Sequence, residues 1–358
     1  MKYCLPRFRT RNDSGIILLV VLWMMVILSF LAVGLGRRTS IDLALTKFAV
    51  GQSRASNLAW AGLMYAIDQI KKDSEDSAAA GLDTAYLCGI TLEEGQVPED
   101  IFKEVRLGDG RFDVSFVTQD PLTGLKKTHY GLRDEEGRIN INALSRQNYN
   151  VLSSLISVLG FEDVLAETIA MAAVDWRDSD AAATNAPSAT EESEYSYRCK
   201  NFFFESPEEL LLLKGMTPEI YSKVKNYVTV FPQDDSRLMI NMNTAPEIVI
   251  RALARSKAGF QTNTELSDAD SMAAKIISYR RGEDGQEYTS DDRKIIANEL
   301  GLNQKEMAIF LSLSGSVTDV SNYLRVRAVG KDEGLGIDSV LEAVIDRNDL
   351  SIVFWQKE

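Results

Sequence analysis

GIILLVVLWMMVILSFLAVGL, residues 15–35, decides how the rest of the chain is read. After Gly15 come twenty residues, Ile16 to Leu35, without a charge. At 1.5 Å of rise per residue, a helix of that length crosses the roughly 30 Å hydrocarbon layer of a bilayer. The register continues beyond it. Ile41, Leu45, Phe48, Ala55, Ala59, Leu63, Ala66 and Ile70 recur mostly every three or four residues, with Arg, Gln, Asp and Lys between them. That spacing predicts one helix over 16–72, transmembrane over 16–35 and amphipathic over 36–72, with one stripe buried on a folded body. Arg7, Arg9 and Arg11 precede the apolar run and Arg37 and Arg38 follow it. The larger basic cluster predicts a cytoplasmic N-terminus, a single membrane pass and a body outside the cytoplasm. Ala32-Val33-Gly34 has the small-x-small pattern of a cleavable secretory signal. The length of the apolar run and its unbroken helical continuation oppose that reading.

The 358 residues suffice for about two domains, and a 45 % hydrophobic content argues for folded cores. The net charge is −13, and removal of residues 1–15, with four basic side chains and one acidic, leaves −16. Such a body repels nucleic acid and anionic lipid and attracts divalent cations or basic protein patches. His129 is the only histidine, and no nucleophile motif surrounds it, so a membrane-tethered hydrolase has no support. Cys88 and Cys199 are the two cysteines beyond the leader; whether they pair is open at this stage.

Residues 71–84, rich in Ser, Ala, Asp and Gly, read as a connection ending the long helix. Val105 to Val117 carries alternating apolar residues around Gly108-Asp109-Gly110, a hairpin signal, and Lys126 to Leu132 supplies another strand. Helical patterning takes over after Arg133. Arg138-Ile-Asn-Ile-Asn142 returns about a hundred residues later as Met239-Ile-Asn-Met-Asn243, and Val174-Asp-Trp-Arg177 returns loosely as Ile277-Ser-Tyr-Arg280. Ser206-Pro-Glu-Glu209 and Thr244-Ala-Pro-Glu247 read as capping boxes. Strand patterning resumes over Asn322 to Phe354. The expected class is α+β: a long N-terminal helix and an antiparallel sheet interrupted by a large α-helical insertion.

Several groups invite a functional reading. Asp175, Asp178 and Asp180, followed by Glu191, Glu192 and Glu194, offer hard oxygen ligands of the kind Ca²⁺ accepts, although the spacing is not that of an EF-hand. The bland alternative is ordinary solvated acidity. A second acidic loop holds Asp284, Asp291 and Asp292. Ser206 to Tyr227, two helices around a Lys-Gly-Met-Thr turn, resembles a helix-hairpin-helix unit, with Lys214, Lys223 and Lys225 available for phosphates. The acidic balance of the chain opposes a DNA-binding receptor, and no nucleic-acid partner is expected.

The polar, basic leader ending in Gly15, with an apolar helix beginning at once, resembles the N-termini of type IV pilins and type II secretion pseudopilins. The resemblance implies prepilin-peptidase cleavage after Gly15 and methylation of the new N-terminal Ile16. That family usually carries a glutamate at the fifth mature position, where this chain has Val20. IILLV without that glutamate, together with DEEGRININAL, VDWRDSD and INMNTAPEIVIRAL in that order, resembles the K-type minor pseudopilins of type II secretion systems. The resemblance implies a non-enzymatic filament-tip subunit, with a leader over 1–15, a sheet region over 84–134, an inserted helical domain over 135–316 and closing strands over 317–358. It implies Ca²⁺ held by Asp175, Asp178, Asp180, Glu191 and Glu194. It also implies as partners the other minor pseudopilins, the major pseudopilin, the inner-membrane platform, the secreted substrate and the outer-membrane secretin. A minor pilin of a type IV pilus is the alternative machine.

Overall fold

The computed structural model describes residues 14–75, 83–119, 124–178, 199–234, 237–258 and 264–357. The first element, α1 (Ser14–Glu75), is one unbroken helix that overruns the expected boundary by three residues. Residues 76–82 of the expected connection lie outside the described residues. A short α2 (Pro98–Phe102) leads into β1 (Val105–Leu107), β2 (Gly110–Gln119), β3 (Lys126–Tyr130) and β4 (Arg133–Asp134). The insertion comprises β5 (Ile139–Asn140), α3 (Asn150–Val158), α4 (Asp163–Arg177), α5 (Pro218–Val224), β6 (Val228–Thr229), β7 (Ile240–Asn241), α6 (Glu247–Arg255), α7 (Leu266–Arg280), α8 (Gln304–Ser312) and β8 (Val317–Thr318). The chain then returns through β9 (Tyr323–Asp332), β10 (Ile337–Asp346) and β11 (Ile352–Lys357).

Strands from both sides of the insertion build one antiparallel sheet in the order β1-β2-β9-β10-β11, with β3 on β2 and β4 on β9. The expected hairpin closes through Gly108, whose φ of 60° suits a residue without a β-carbon. In β9, Leu324, Val326, Ala328, Gly330 and Asp332 are buried at alternate positions, as a strand with one covered face requires. The cover is the second half of α1, which buries Ala55, Ala59, Leu63, Ala66 and Ile70 against Phe112, Val114, Val326, Ala328, Leu341 and Ala343. Small residues set the distance. A β-carbon on Gly330 would lie 2.1 Å from the Ala55 carbonyl oxygen and 2.3 Å from the Ala59 nitrogen, so helix backbone rests on strand backbone.

The insertion is built twice from one plan. β5 pairs in parallel with β6, and β7 pairs in parallel with β8. In the first unit Asn140 Oδ1 accepts from Asn142 N at 2.9 Å, and Asn142 Oδ1 accepts from Phe204 N at 2.8 Å. In the second, Asn241 Oδ1 accepts from Asn243 N at 3.0 Å, and Asn243 Oδ1 accepts from Ile295 N at 2.9 Å. Arg177 ends α4 by donating to the Leu144 carbonyl at 2.6 Å, and Arg280 ends α7 by donating to the Ala245 carbonyl at 2.6 Å. The repeated Ile-Asn-x-Asn and the repeated arginine are thus the two halves of one hydrogen-bonded corner. Ser206 does cap a helix, but a 3-10 one over Pro207–Leu212. The second expected box does not form: α6 starts at Glu247 with Pro246 as its cap, and the Thr244 hydroxyl goes elsewhere.

That hydroxyl belongs to the junction between sheet and insertion. The outgoing segment that follows β4, Glu135 to Arg138, lies beside the returning strand, with Glu135 N donating to the Tyr323 carbonyl at 2.9 Å. Asp134 Oδ2 accepts from Ser321 Oγ at 2.6 Å and from Thr244 Oγ1 at 2.5 Å. Glu136 accepts from the Asn322 amide. Asp83 accepts from Ser321 N at 2.9 Å and from Arg347 Nη1 at 2.8 Å, and Arg347 also meets Asp73 at the end of α1. Burial and the neighbouring Glu136 push the Asp134 carboxyl up to about 7, against the pull of Ser321 and Thr244. Burial would raise Glu135 as well, but Arg138 and Arg325 hold it down at about 2.

Gly330→Ala must push α1 off the sheet and is expected to lower stability by roughly 1–3 kcal/mol in denaturant titration. The raised Asp134 makes the folded chain bind a proton more tightly than the unfolded one, so its share of stability is full below the ordinary 3.8 and is lost as pH rises through about 7. Asp134→Asn should therefore gain on the parent protein as pH rises across that window, by a few kcal/mol in all. Melts of both proteins at the two ends of the window measure the difference.

Candidate assembly interface

α1 changes character at Gly51. From there to Ile70 its apolar stripe is covered by the sheet, but Ile41, Leu45 and Phe48, expected to share that cover, are 60, 62 and 59 % exposed. The reason lies in the length of the β9–β10 hairpin. Its tip reaches α1 at Gly51, where a β-carbon would come 2.7 Å from both Leu335 and Ile337, and no strand extends further along the helix. Buried amphipathic helix therefore begins at Gly51 rather than at residue 36. The membrane-length segment before it is bare on all sides, and its most apolar window has a mean hydropathy of 3.1. Gly15 and Ile16 stand exposed in the first turn, and Val20 lies one turn on, with no carboxylate near it on the helix. Residues 1–13 of the leader lie outside the described residues. Contiguous apolar surface on this scale needs lipid or another chain to cover it.

The first acidic set is only partly described. Asp175 is buried in the last turn of α4, and Asp178, the residue that ends the helix, meets Arg146 at 3.2 Å. Asp180, Glu191 and Glu194 lie outside the described residues. The second loop closes on itself. Asp291 Oδ2 accepts from Glu283 N at 2.6 Å and Asp284 N at 3.1 Å, and its Oδ1 accepts from Thr289 at 2.8 Å. Those bonds draw the Asp291 carboxyl below its ordinary range, whereas burial lifts Asp292 to about 6. Asp284 accepts from Gln286 N at 2.7 Å, and Asp292 from Tyr288 N at 2.9 Å. Donors of the chain fill both oxygens of Asp291, whereas Asp292 Oδ1 is buried with no hydrogen-bond partner among the described residues. Among the described residues no group of three or more His, Cys, Asp and Glu side chains could hold a metal ion.

The loop has another task. Tyr288, held at φ 66°, lies tilted against His129 with ring centroids 4.3 Å apart and meets Phe116 at 5.6 Å, which pins the insertion to β2 and β3. His129 is an ordinary strand histidine: its Nε2 lies 2.9 Å from Thr118 Oγ1, and burial with nearby Lys127 lowers its pKa to about 4. Cys88 packs in the sheet core and Cys199 in the helical core, and no bridge joins them. In the helix-hairpin-helix-like stretch the first helix is the 3-10 turn, and Gly215 backs onto Leu165 and Ile169 of α4. The ammonium of Lys223 lies over the Phe161 ring, so this unit is engaged in packing the insertion.

Sequence reasoning missed the junction carboxylates Asp83, Asp134 and Glu136 and their partner Arg347. They stand far apart along the chain, and only the DEE triplet before Gly137 gave a local sign of them.

Residues 137–233, the first of the two repeated units, match the family model for type II secretion system (T2SS), protein K. The type II secretion system protein K of Aeromonas hydrophila is 27 % identical over 257 residues, which cover 65 % of this chain and 68 % of that relative. The fold is shared with a chain in the crystal structure of the GspK-GspI-GspJ complex from the enterotoxigenic Escherichia coli type 2 secretion system. That match has a TM-score of 0.55 at 17 % identity and spans 90 % of this chain and 99 % of that one. The family model over the first repeated unit and the Aeromonas relative agree in likening this chain to type II secretion system protein K.

Proposed function

We propose that the chain is a minor pseudopilin acting by assembly rather than catalysis, which initiates or caps the periplasmic pseudopilus at its tip. The observation that carries this reading is α1, one continuous helix whose second half serves as the core of its own sheet while its first half stays bare. A bare helix of that kind is suited first to lipid and then to the helices of neighbouring subunits. Val20 supports a tip position, since a subunit without a carboxylate there has no counter-ion for the N-terminal amine of another subunit. The insertion, attached beside the sheet through both crossing strands, adds bulk that opposes stacking of a further subunit. The solved complex of similar fold is named for three proteins, GspK, GspI and GspJ. By that likeness, I- and J-type minor pseudopilins are the first partners of this chain, with the major pseudopilin, the inner-membrane platform, the outer-membrane secretin and the cargo beyond them.

Calcium belongs to the same reading: α4 delivers Asp175 and Asp178 to the start of the acidic segment that carries Asp180, Glu191 and Glu194. The ion would tie that segment to the end of α4 through hard oxygen ligands and would have no chemical step to perform.

Mass spectrometry of the mature N-terminus is expected to find Ile16, methylated, with an extracted membrane helix; a start near Leu35 would mean signal-peptidase cleavage and end the filament reading. Calcium at a hundredfold over its dissociation constant should stabilise the full chain by about 2.7 kcal/mol relative to the chelated form. Identical melting in calcium and in chelator removes the metal from the account.

A further inference from the structure

We propose that the pocket between α1 and the β1–β2 hairpin receives an arginine or lysine side chain from a neighbouring subunit, with Asp332 as its counter-ion. The inference rests on the filament reading above.

Asp332 ends the series of β9 residues that face α1, a register position that otherwise holds Leu324, Val326, Ala328 and Gly330. It is 3 % exposed. Its Oδ1 accepts from Gly334 N at 2.9 Å, but its Oδ2 has no hydrogen-bond partner among the described residues. A buried carboxylate oxygen left without a donor or a cation is destabilising. The nearest basic residues of the sheet are already engaged: Lys331 with Asp113 at 2.8 Å, and Arg111 with Glu333 at 2.9 Å.

The carboxylate opens into a cavity of about 330 Å³, lined by Arg54, Asn57, Leu58, Leu107, Asp109 and Gly110. Two carboxylates, Asp109 and Asp332, against the one guanidinium of Arg54 leave the pocket with an excess of negative charge. Leu107, 53 % exposed, and the nearby Leu335, 45 % exposed, supply apolar surface of the kind that accepts the methylene stem of a long basic side chain. Position identifies the donor as protein. Sixteen residues separate Leu35 from Gly51, so the pocket stands about 24 Å beyond the apolar boundary along the helix. Lipid headgroups do not reach that far. The pocket also sits where α1 passes from bare to covered, beside Phe48, so whatever packs on the exposed stripe arrives at its mouth.

The test uses the full chain in detergent, co-expressed with the I- and J-type minor pseudopilins of its own secretion system. Asp332→Asn and Asp332→Lys are expected to weaken the complex at least about tenfold. Asp338→Lys, on an exposed position of β10, should leave it unchanged. For the lone chain, Asp332→Asn should keep or raise the melting temperature, since it replaces a buried carboxylate whose Oδ2 has no partner among the described residues. A photo-crosslinking residue in place of Leu107 should join a partner peptide that contains Arg or Lys. Full-strength assembly of both Asp332 variants, or an adduct to phospholipid alone, overturns the proposal. So does an equal loss of stability in Asp332→Asn and Arg54→Ala, which would make Arg54 the counter-ion within the same chain. Absence of any complex with the parent protein would instead count against the filament reading.

Discussion

The approach of α1 to β9 at Gly330 is the constraint on which the rest of the molecule depends. β9 is the strand that β2, β4 and β10 all pair with, so it joins residues before the insertion to residues after it. A helix laid on such a strand normally stands off by the depth of its side chains. Here Ala55 and Ala59 on the helix and Gly330 on the strand remove that depth, and Gly62 repeats the arrangement one turn on, against Phe112 and Ala328. Close packing gains dispersion energy over a narrow contact. It also fixes where α1 leaves the sheet, because the hairpin that follows Gly330 can reach back only as far as Gly51.

Much of this architecture was legible in the sequence because it is encoded by periods. The uncharged run after Gly15, the hairpin at Gly108-Asp109-Gly110 and the strand patterning after Asn322 are local signals, and each became the expected element. The limits of the buried stripe were not legible. Ile41, Leu45 and Phe48 carry the same periodicity as Ala55, Ala59 and Leu63, and nothing local says that the sheet ends at Gly51. Sequence period reports that a face is apolar and not what covers it. The Thr244 box failed for a related reason: its hydroxyl was claimed by Asp134, 110 residues earlier, an interaction invisible at short range.

The repeat deserves a physical account rather than a statistical one. Ile-Asn-x-Asn followed by an arginine at the end of the second helix is a minimal closed corner: one asparagine turns the chain, the next ties it to a distant strand or loop, and the guanidinium takes carbonyls the corner leaves over. Buried amides and guanidinium groups are tolerated when all their bonds are made. Two copies place their helices on one shared core, in which Leu152, Ile156 and Ile169 of the first unit belong with Val249, Ile250 and Ile276 of the second. The two units of the insertion are therefore held by one core, and polar contacts at the junction tie that core to the sheet. There Asp134, Glu135 and Glu136 divide the work, Glu135 clamped by two arginines and the other two carboxylates held largely by hydroxyls and amides.

Rigidity at that junction bears on how such a chain would act at a filament tip. Force or displacement applied to α1 reaches Asp73 at its end, and from Asp73 passes through Arg347 and Asp83 to Ser321 on the returning strand. The same Ser321 hydroxyl holds Asp134 on the outgoing strand. Helix, sheet and insertion are thus linked by one buried chain of polar contacts. In the filament reading proposed above, a subunit built this way would carry the orientation of α1 to the far side of its helical domain. If sideways packing on the bare half of α1 sets that helix in the filament, it also sets the insertion, and the direction in which the tip presents its bulk follows from contacts made near the membrane.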